Sequence, residues 1–329
     1  MKAAIIGTTA WGTALGIMLA RKGIQVALWA RTKEEADRLN TDRENTARLP
    51  GIAFPDNLSP TSSVEEALKG ASMIILAVPS QEMRKNARLL RGHIDADVPV
   101  VSAAKGLEKD TSKRMSQVIA EELNPSIHDK ICAISGPNFS KEIARGLPAS
   151  TVVAAQNGTV TARVREIMNS PTFQVETSND MVGVELAGAL KNVVALGAGM
   201  MDALGYGDNA KAAFATRGLA EITRLSVAAG ANPATLTGLA GVGDLVATCS
   251  SLLSRNRTFG RELAKGRPAE EIRNTMTSVV EGIATTAATL KLARELGVEV
   301  PITEQLHKVL FEGHDLTAAM EQLIRGPGV

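Results

Sequence analysis

Two lysines stand where an ammonium group could act on a small anionic molecule. Lys105 follows the apolar run Val98–Ala103, and Lys191 interrupts the small and apolar stretch Glu185–Val194. Burying an ammonium group is costly unless an anion accompanies it, so Lys191 is expected to face a ligand or to pair with an acid. Taken alone, Lys105 is more typical of a solvated loop lysine.

A glycine-rich segment and a basic segment follow later in the chain. Asp244 lies in the turn Gly241–Thr248 and could pair with a lysine. Ser254 is typical of a helix N-cap, which places Arg255 and Asn256 in the first helical turn. The helix macrodipole disfavours a cation there, so this arginine indicates a nearby anion, and a guanidinium fork suits phosphate oxygens. By itself, the segment is also compatible with an ordinary surface.

A turn of the dinucleotide-binding type lies near the N-terminus. Gly7 and Gly12 fill the outer positions of the pattern G-x-G-x-x-G, between an apolar strand and a helix whose first amide groups could hold phosphate. Thr9 occupies the middle position, where a side chain is expected to obstruct the approach of a pyrophosphate. A strand–helix turn without a ligand is the alternative interpretation.

The residue after the second strand bears on the choice of dinucleotide. A site for NAD usually has Asp or Glu there to bind the ribose hydroxyls. Here Arg31 follows Ala30, and the first carboxylate is Glu34. Arg31 could hold a 2′-phosphate or stack on adenine, which favours NADPH or the use of both cofactors. A solvated arginine at the strand end is equally compatible with the sequence.

Strand and helix patterns alternate in the first half of the chain, and only helical patterns follow. This order predicts an α/β fold, with a Rossmann-type, doubly wound and mainly parallel sheet in residues 1–178 and an all-helical domain in residues 179–329. We expect a loop over residues 41–60. Among the predicted helices are Thr111–Leu123, Asp180–Leu204, Ser254–Ala264 and Ser278–Leu296.

Length and composition exclude several classes of protein. The 329 residues suit two domains, and 44% hydrophobic with 22% charged residues is typical of a globular chain. A net charge of +1 argues against a dedicated binder of nucleic acid or membrane surfaces. Without a signal-peptide pattern or an apolar run of about 18 residues, we expect a cytoplasmic protein with no membrane span. Cys132 and Cys249 are expected to be free thiols, and the four scattered histidines suggest no metal site.

Together these motifs resemble a known family. The segments GxxxWGTAL, AAKGLE, SGPNF, ELAGALKNVVALGAG, LAGVGDL, SRNR and VVEG follow one another as in NAD(P)-dependent glycerol-3-phosphate dehydrogenase of the bacterial type. The resemblance extends from Met1 to about Gly313, and its most specific parts are the LKN helix and the GD…SRNR pair. It implies the reversible reduction of dihydroxyacetone phosphate to sn-glycerol 3-phosphate with NAD or NADP as cofactor, a precursor step for glycerophospholipids.

The resemblance also implies roles for individual residues. The catalytic residues would be Lys191, Lys105 and Asp244. The substrate-binding residues would be Lys105, Gly136, Asn138, Lys191, Asn192, Asp244, Ser254, Arg255 and Asn256. The dinucleotide-binding residues would be Gly7, Ala10, Trp11, Gly12, Arg31, Lys105, Ser140, Arg255, Val279 and Glu281. The chain departs from the family pattern at Thr9, at Ala10, where serine is usual, and at Ser140, where alanine is usual.

The implied mechanism is a hydride transfer from the nicotinamide to the C2 carbonyl of the substrate. Lys191 would give a proton to the developing alkoxide. Lys105 would polarise the carbonyl and lower the pKa of Lys191, while Asp244 would orient Lys191 and limit that shift. Arg255 and Asn256 would hold the phosphate and so fix the position of the carbonyl.

Partners and alternatives follow from the same residues. The expected partners are a small phosphorylated substrate and, as the resemblance suggests, a second copy of the chain in a homodimer; no nucleic acid is expected. One alternative is a related two-domain dehydrogenase acting on a hydroxy or keto acid, against which the SRNR segment argues. The other is a dinucleotide-binding sensor without turnover, which Thr9 suggests.

Overall fold

The computed structural model describes residues 1–325, and these residues separate into two compact units. The first unit comprises Met1–Ala104 and Met115–Met181. The second comprises Lys105–Arg114 and the chain from Val182 onward. Lys105 therefore folds with the helical part of the chain, although it precedes residue 178. Whether residues 1–178 and 179–329 are independent domains stays a prediction.

The first unit is built on a sheet of eight strands. In chain order they are β1 (Lys2–Ile6), β2 (Gln25–Trp29), β3 (Leu58–Thr61), β4 (Met73–Leu76), β5 (Val100–Ser102), β6 (Ile131–Ser135), β7 (Ala149–Ala154) and β8 (Phe173–Ser178). Their spatial order is β3-β2-β1-β4-β5-β6-β7-β8. Every neighbouring pair is parallel except β6 and β7. The predicted Rossmann-type, mainly parallel sheet is confirmed.

Helices cover both faces of this sheet. They are α1 (Ala10–Arg21), α2 (Lys33–Asp42), α3 (Val64–Leu68), α4 (Met83–Leu89), α5 (Met115–Glu122), α6 (Ser140–Ala144) and α7 (Gly158–Met168), with short 3₁₀ helices at Ser80–Glu82 and Pro125–Lys130. Alternate residues of β1 enter opposite cores: Ala3 and Ile5 pack on one face, and Ala4 and Ile6 on the other. A parallel strand covered on both sides reads as a continuous apolar run for this reason.

The structure differs from the sequence prediction in several details. Strand β3 lies inside the expected loop; because it is an edge strand, Pro60 can occupy it without removing a hydrogen bond that an inner strand would need. The helix predicted from Thr111 begins only at Met115, since residues 105–114 belong to the other unit. The helix predicted from Ser278 begins at Glu281.

The second unit is helical, as predicted. Its helices are α8 (Met181–Ala203), α9 (Asp208–Ala228), α10 (Pro233–Leu236), α11 (Asp244–Ser250), α12 (Arg255–Ala264), α13 (Ala269–Thr275), α14 (Glu281–Leu296), α15 (Pro301–Phe311) and α16 (Leu316–Arg325), with one π turn at Leu239–Gly243. By length and composition alone α8 could cross a membrane, and so could the segment from α10 to α12 if its 44° bend lay within one span. However, 83% of the apolar window of α8 is buried inside the protein, as in the core helix of a globular domain.

Glycines bring α8 into close contact with its neighbours. A Cβ at Gly199 would lie 1.9 Å from the carbonyl oxygen of Arg257 on α12, and one at Gly260 would lie 2.0 Å from that of Leu196. The backbones of α8 and α12 therefore approach more closely than any side chain allows. This approach places the start of α12 beside the middle of α8, which carries Lys191.

Candidate active site

Two lysines from separate segments hold one buried carboxylate. Lys191 Nζ donates to Asp244 Oδ1 at 2.5 Å, and Lys105 Nζ donates to Asp244 Oδ2 at 2.8 Å. Asp244 is only 2% exposed and Lys191 6% exposed. All three side chains belong to the second unit, where Asp244 is the first residue of α11. The pairing of a lysine with Asp244, which the sequence suggested, is therefore present.

A threonine completes the surroundings of Lys191. Thr248 Oγ1 accepts a hydrogen bond from Lys191 Nζ at 2.6 Å and donates one to Asp244 Oδ1 at 3.3 Å. Sequence reasoning missed Thr248, although it follows Asp244 by four residues and so shares its helix face. An ammonium group has three N–H donors, of which Asp244 and Thr248 accept two.

Burial changes the acidity of Lys191. Loss of hydration lowers its pKa to about 8, because a buried ammonium is less stable than a hydrated one. The carboxylate of Asp244 opposes this shift, and the positive charge of Lys105 adds to it. Lys191 can therefore lose and regain a proton near neutral pH, as a general acid/base must.

A chain of amides links this centre to two helix starts. Asn192 donates through Nδ2 to the carbonyl oxygen of Lys105 at 3.0 Å and accepts through Oδ1 from Asn256 Nδ2 at 2.8 Å. Asn256 Oδ1 accepts from the backbone amide of Gly282 at 2.9 Å. The predicted substrate residues Asn192 and Asn256 are thus joined, and they fix the backbone that carries Lys105.

The start of α12 has the predicted form. Ser254 is its N-cap, and the serine Oγ accepts from the amide of Arg257 at 3.3 Å. Arg255 is the first helical residue, next to buried Asn256. A cation at a helix start stabilises the fold poorly, so the position favours a role in holding an anion. Of the other dinucleotide positions in this unit, Lys105 contacts Asp244, Val279 is exposed and Glu281 begins α14.

The N-terminal turn has the geometry of a phosphate-binding turn. Gly7 has φ +113°, which favours glycine, and a Cβ at Gly12 would lie 2.2 Å from the carbonyl oxygen of Gly7. These are the two requirements of the outer glycines: a tight turn and close packing of helix on strand. The amides of Ala10 and Trp11 begin α1 and have no acceptor within the helix.

The side chain of Thr9 is engaged within the protein. It accepts from the amide of Gly12 at 3.0 Å as the N-cap of α1, and it donates to the carbonyl oxygen of Ala77 at 2.7 Å. The hydroxyl is thereby held against the end of β4, and this placement gives the threonine at the middle position of the motif a structural reason.

The residues at this turn fit a dinucleotide. Trp11 Nε1 is buried and has no hydrogen-bond partner within the described part of the chain. Since buried N–H groups normally have a partner, this indole N–H could donate to an acceptor of a bound ligand. Arg31 is exposed after β2. Thr8 donates to Glu35 Oε1 at 2.6 Å, a contact that the sequence did not predict.

The remaining predicted positions lie in the first unit. Asn138 donates through Nδ2 to the carbonyl oxygen of Ser150 and accepts through Oδ1 from Thr151. Gly136, with φ +153°, closely approaches the backbone of Thr151. Ser140 is the first residue of α6. These contacts are structural, and the roles of Gly136, Asn138 and Ser140 toward a ligand stay predictions.

Cys132 is buried and Cys249 is half-buried. Cys132 and Cys249 are both free thiols, as expected. Burial raises the pKa of the Cys249 thiol to about 12, so it remains protonated at neutral pH. Within residues 1–325, no group of three or more His, Cys, Asp or Glu side chains is arranged to hold a metal ion.

Comparison with known proteins places both parts of the chain in one family. The sequence model for the N-terminus of NAD-dependent glycerol-3-phosphate dehydrogenase matches residues 2–161, and the model for its C-terminus matches residues 180–321. The chain belongs to the NAD-dependent glycerol-3-phosphate dehydrogenase family. The resemblance drawn from the sequence motifs is confirmed.

Relatives of the glycerol-3-phosphate dehydrogenase family match over nearly the full chain. A protein from Dehalococcoides mccartyi named glycerol-3-phosphate dehydrogenase [NAD(P)+] is 49% identical over 98% of this chain and 90% of its own length. One with the same name from Moorella thermoacetica is 45% identical over 98% of this chain and 96% of its own. The protein is thus an oxidoreductase that uses NAD or NADP.

Solved structures agree with this assignment. The crystal structure of glycerol-3-phosphate dehydrogenase from Coxiella burnetii has a TM-score of 0.94 with 36% identity and covers 99% of both chains. A ketopantoate reductase from Ralstonia eutropha has a TM-score of 0.61 at 17% identity, which shows a shared fold alone. What this chain shares with that reductase is the architecture of the fold.

Proposed function

We propose that this enzyme reduces dihydroxyacetone phosphate to sn-glycerol 3-phosphate, reversibly, with NAD(P)H as cofactor. The main support for the proposal is that the ammonium groups of Lys105 and Lys191 both bind the buried carboxylate of Asp244. Asn192 and Asn256 tie this centre to the helix that begins with Arg255. The names of the relatives support the same substrate and product.

Each residue of this network has a chemical task. When bound, the reduced nicotinamide supplies the hydride that the C2 carbonyl accepts. Lys191 donates a proton through Nζ to the oxygen on which negative charge develops, while Asp244 and Thr248 hold Nζ in position. Lys105 polarises the same carbonyl through its positive charge. Arg255 binds the phosphate, so that the carbonyl arrives in a fixed orientation.

An assay of the purified protein tests this function. Absorbance of reduced nicotinamide is followed with dihydroxyacetone phosphate, with ketopantoate and with a simple 2-keto acid, using NADH and NADPH in turn. We expect rapid oxidation with dihydroxyacetone phosphate and little with the keto acids. Faster turnover of a keto acid would favour the related two-domain dehydrogenase. Cofactor binding without turnover of any substrate would favour the sensor.

The pH dependence of the reaction should follow Lys191. The protonated lysine is the proton donor, and it predominates below its pKa of about 8. For ketone reduction, kcat should therefore be level below this pH and fall about tenfold per unit above it, whereas alcohol oxidation should show the opposite slope. Rates measured in both directions across the pH range check this.

Two substitutions next to Lys191 should shift this pH profile in opposite directions. Because the charge of Lys105 lowers the pKa of Lys191, Lys105→Met should move the falling limb to higher pH. Because Asp244 raises that pKa, Asp244→Asn should move the limb to lower pH. If both variants kept the wild-type limb, another group would be responsible for it.

The proposal also covers the metabolic role and the cellular location of the enzyme. As the resemblance implies, its product is a precursor of glycerophospholipids, which gives the reaction a role in lipid synthesis. The free thiols Cys132 and Cys249 suit a reducing compartment, which supports the cytoplasm as the site of action. The homodimer implied by the resemblance stays a prediction.

A further inference from the structure

The phosphate turn carries a carboxylate that the sequence motif does not include. Thr8, directly after Gly7 in the turn, donates through Oγ1 to Glu35 Oε1 at 2.6 Å. Glu35 is partly buried and lies in the first turn of α2, four residues beyond Arg31. One acidic side chain thus bridges the turn that receives the pyrophosphate and the segment that follows β2.

A local structural role would have placed Glu35 differently. Thr32 is the N-cap of α2 and accepts from the amide of Glu35 at 3.2 Å, so the residues form the sequence of a capping box. In a complete box the glutamate would accept from the backbone amide of the N-cap residue. Here its carboxylate accepts instead from Thr8, across 27 positions of the chain. The side chain is therefore held toward the cofactor turn.

We propose that Glu35 selects the unphosphorylated dinucleotide NAD(H) by binding the ribose hydroxyls beside the phosphate turn. In Rossmann folds the adenosine ribose lies between that turn and the end of the second strand, where a carboxylate reads the 2′-hydroxyl. Glu35 supplies this group from the helix, in place of the strand-end residue Arg31. A 2′-phosphate at the same place would face a like charge.

The neighbouring charges support the same preference. The segment from Arg31 to Asp37 contains two basic and three acidic side chains. Lys33 is paired with Asp37 at 2.9 Å, and Arg31 is exposed. The sequence alone led to the expectation that Arg31 favours NADPH. The structure adds an acidic side chain, Glu35, that is hydrogen-bonded to the phosphate turn and opposes this preference. The inference rests on the proposed use of a nicotinamide cofactor and specifies which one.

Direct binding to the full-length protein tests this selection. Titrations of NADH and NADPH without substrate give two Kd values, and we expect NADH to bind more tightly to the wild type. Glu35→Gln should shift the ratio of the two Kd values toward NADPH by about tenfold or more, because it removes a repulsion close to the 2′-phosphate. Glu34→Gln removes the same charge from the adjacent exposed position and should change the ratio less than about twofold.

A second variant separates charge from orientation. Thr8→Val removes the hydrogen bond to Glu35 but keeps the carboxylate, so NADH should bind less tightly with no gain for NADPH. Equal shifts for Glu35→Gln and Glu34→Gln, or a wild type that prefers NADPH, would overturn the inference. Since the titrations need no substrate, a failure to reduce dihydroxyacetone phosphate would count against the proposed function and leave the Kd ratio interpretable.

Discussion

Replacing Lys191 by alanine is expected to lower kcat for dihydroxyacetone phosphate by about a thousandfold. The substitution removes the proton donor, and a positioned general acid contributes about 10²- to 10⁴-fold to such a step. The fold should survive, because Asp244 keeps its ion pair with Lys105 at 2.8 Å and is not left as an unpaired buried charge. Steady-state kinetics together with a thermal melt of the same preparation measure both effects.

Two further variants show whether the decrease in kcat comes from the missing proton donor. Lys191→Arg keeps a positive charge beside Asp244, but a guanidinium does not give up its proton at neutral pH, so this variant should be as slow as the alanine variant. Lys265→Ala removes a surface lysine paired with Glu262 and should leave kcat unchanged. A kcat within tenfold of wild type for Lys191→Ala would remove this lysine from the chemistry.

Replacing Arg255 by alanine is expected to weaken the use of phosphorylated substrate. Loss of a charged hydrogen bond costs about 1.5–3 kcal/mol, which corresponds to a decrease in kcat/KM of roughly 10- to 150-fold. Dihydroxyacetone has the same carbonyl without the phosphate, so its already low kcat/KM should change little. The measurement is the ratio of the two kcat/KM values in wild type and variant.

The control for this prediction is another arginine of the helical unit. Arg267 makes two hydrogen bonds to Glu271 on the surface, and Arg267→Ala changes the net charge by the same amount. That variant should keep the wild-type ratio. If Arg255→Ala reduced the rates for both substrates equally, the arginine would serve the cofactor or the fold rather than the phosphate.

The parts of the fold that follow from local pattern were predictable. Continuous apolar strands between helices predict a parallel sheet, and Ser254 before a helical pattern predicts the N-cap that the structure has. The pairing of a lysine with Asp244 was suggested by the cost of burying an ammonium in an apolar helix. Strand β3 was missed because its pattern, with Pro60 in four residues, is typical of a loop until its edge position is known.

Other features depend on contacts that no local pattern encodes. Thr8 and Glu35 are 27 residues apart, and each has an ordinary role by itself, in a turn and in a capping box. The motif likewise gives no indication that the hydroxyl of Thr9 would form hydrogen bonds with the backbone of Ala77 and Gly12. The placement of Lys105 likewise depends on tertiary contacts, since β5 precedes it and the sheet would be its natural neighbour.

Residues Lys105–Arg114 belong to the helical unit, although the segments before and after them belong to the first unit. The chain therefore passes between the two units more than once. Leu107 enters the core of the helices, and Ser112 donates to the carbonyl oxygen of Ala288. A fragment cut at residue 178 would retain Lys105 without the helices that anchor it, and the complementary fragment would hold Asp244 with one ammonium instead of two. Chimeras that exchange nucleotide-binding halves between homologues should therefore transplant residues 105–114 together with the C-terminal half.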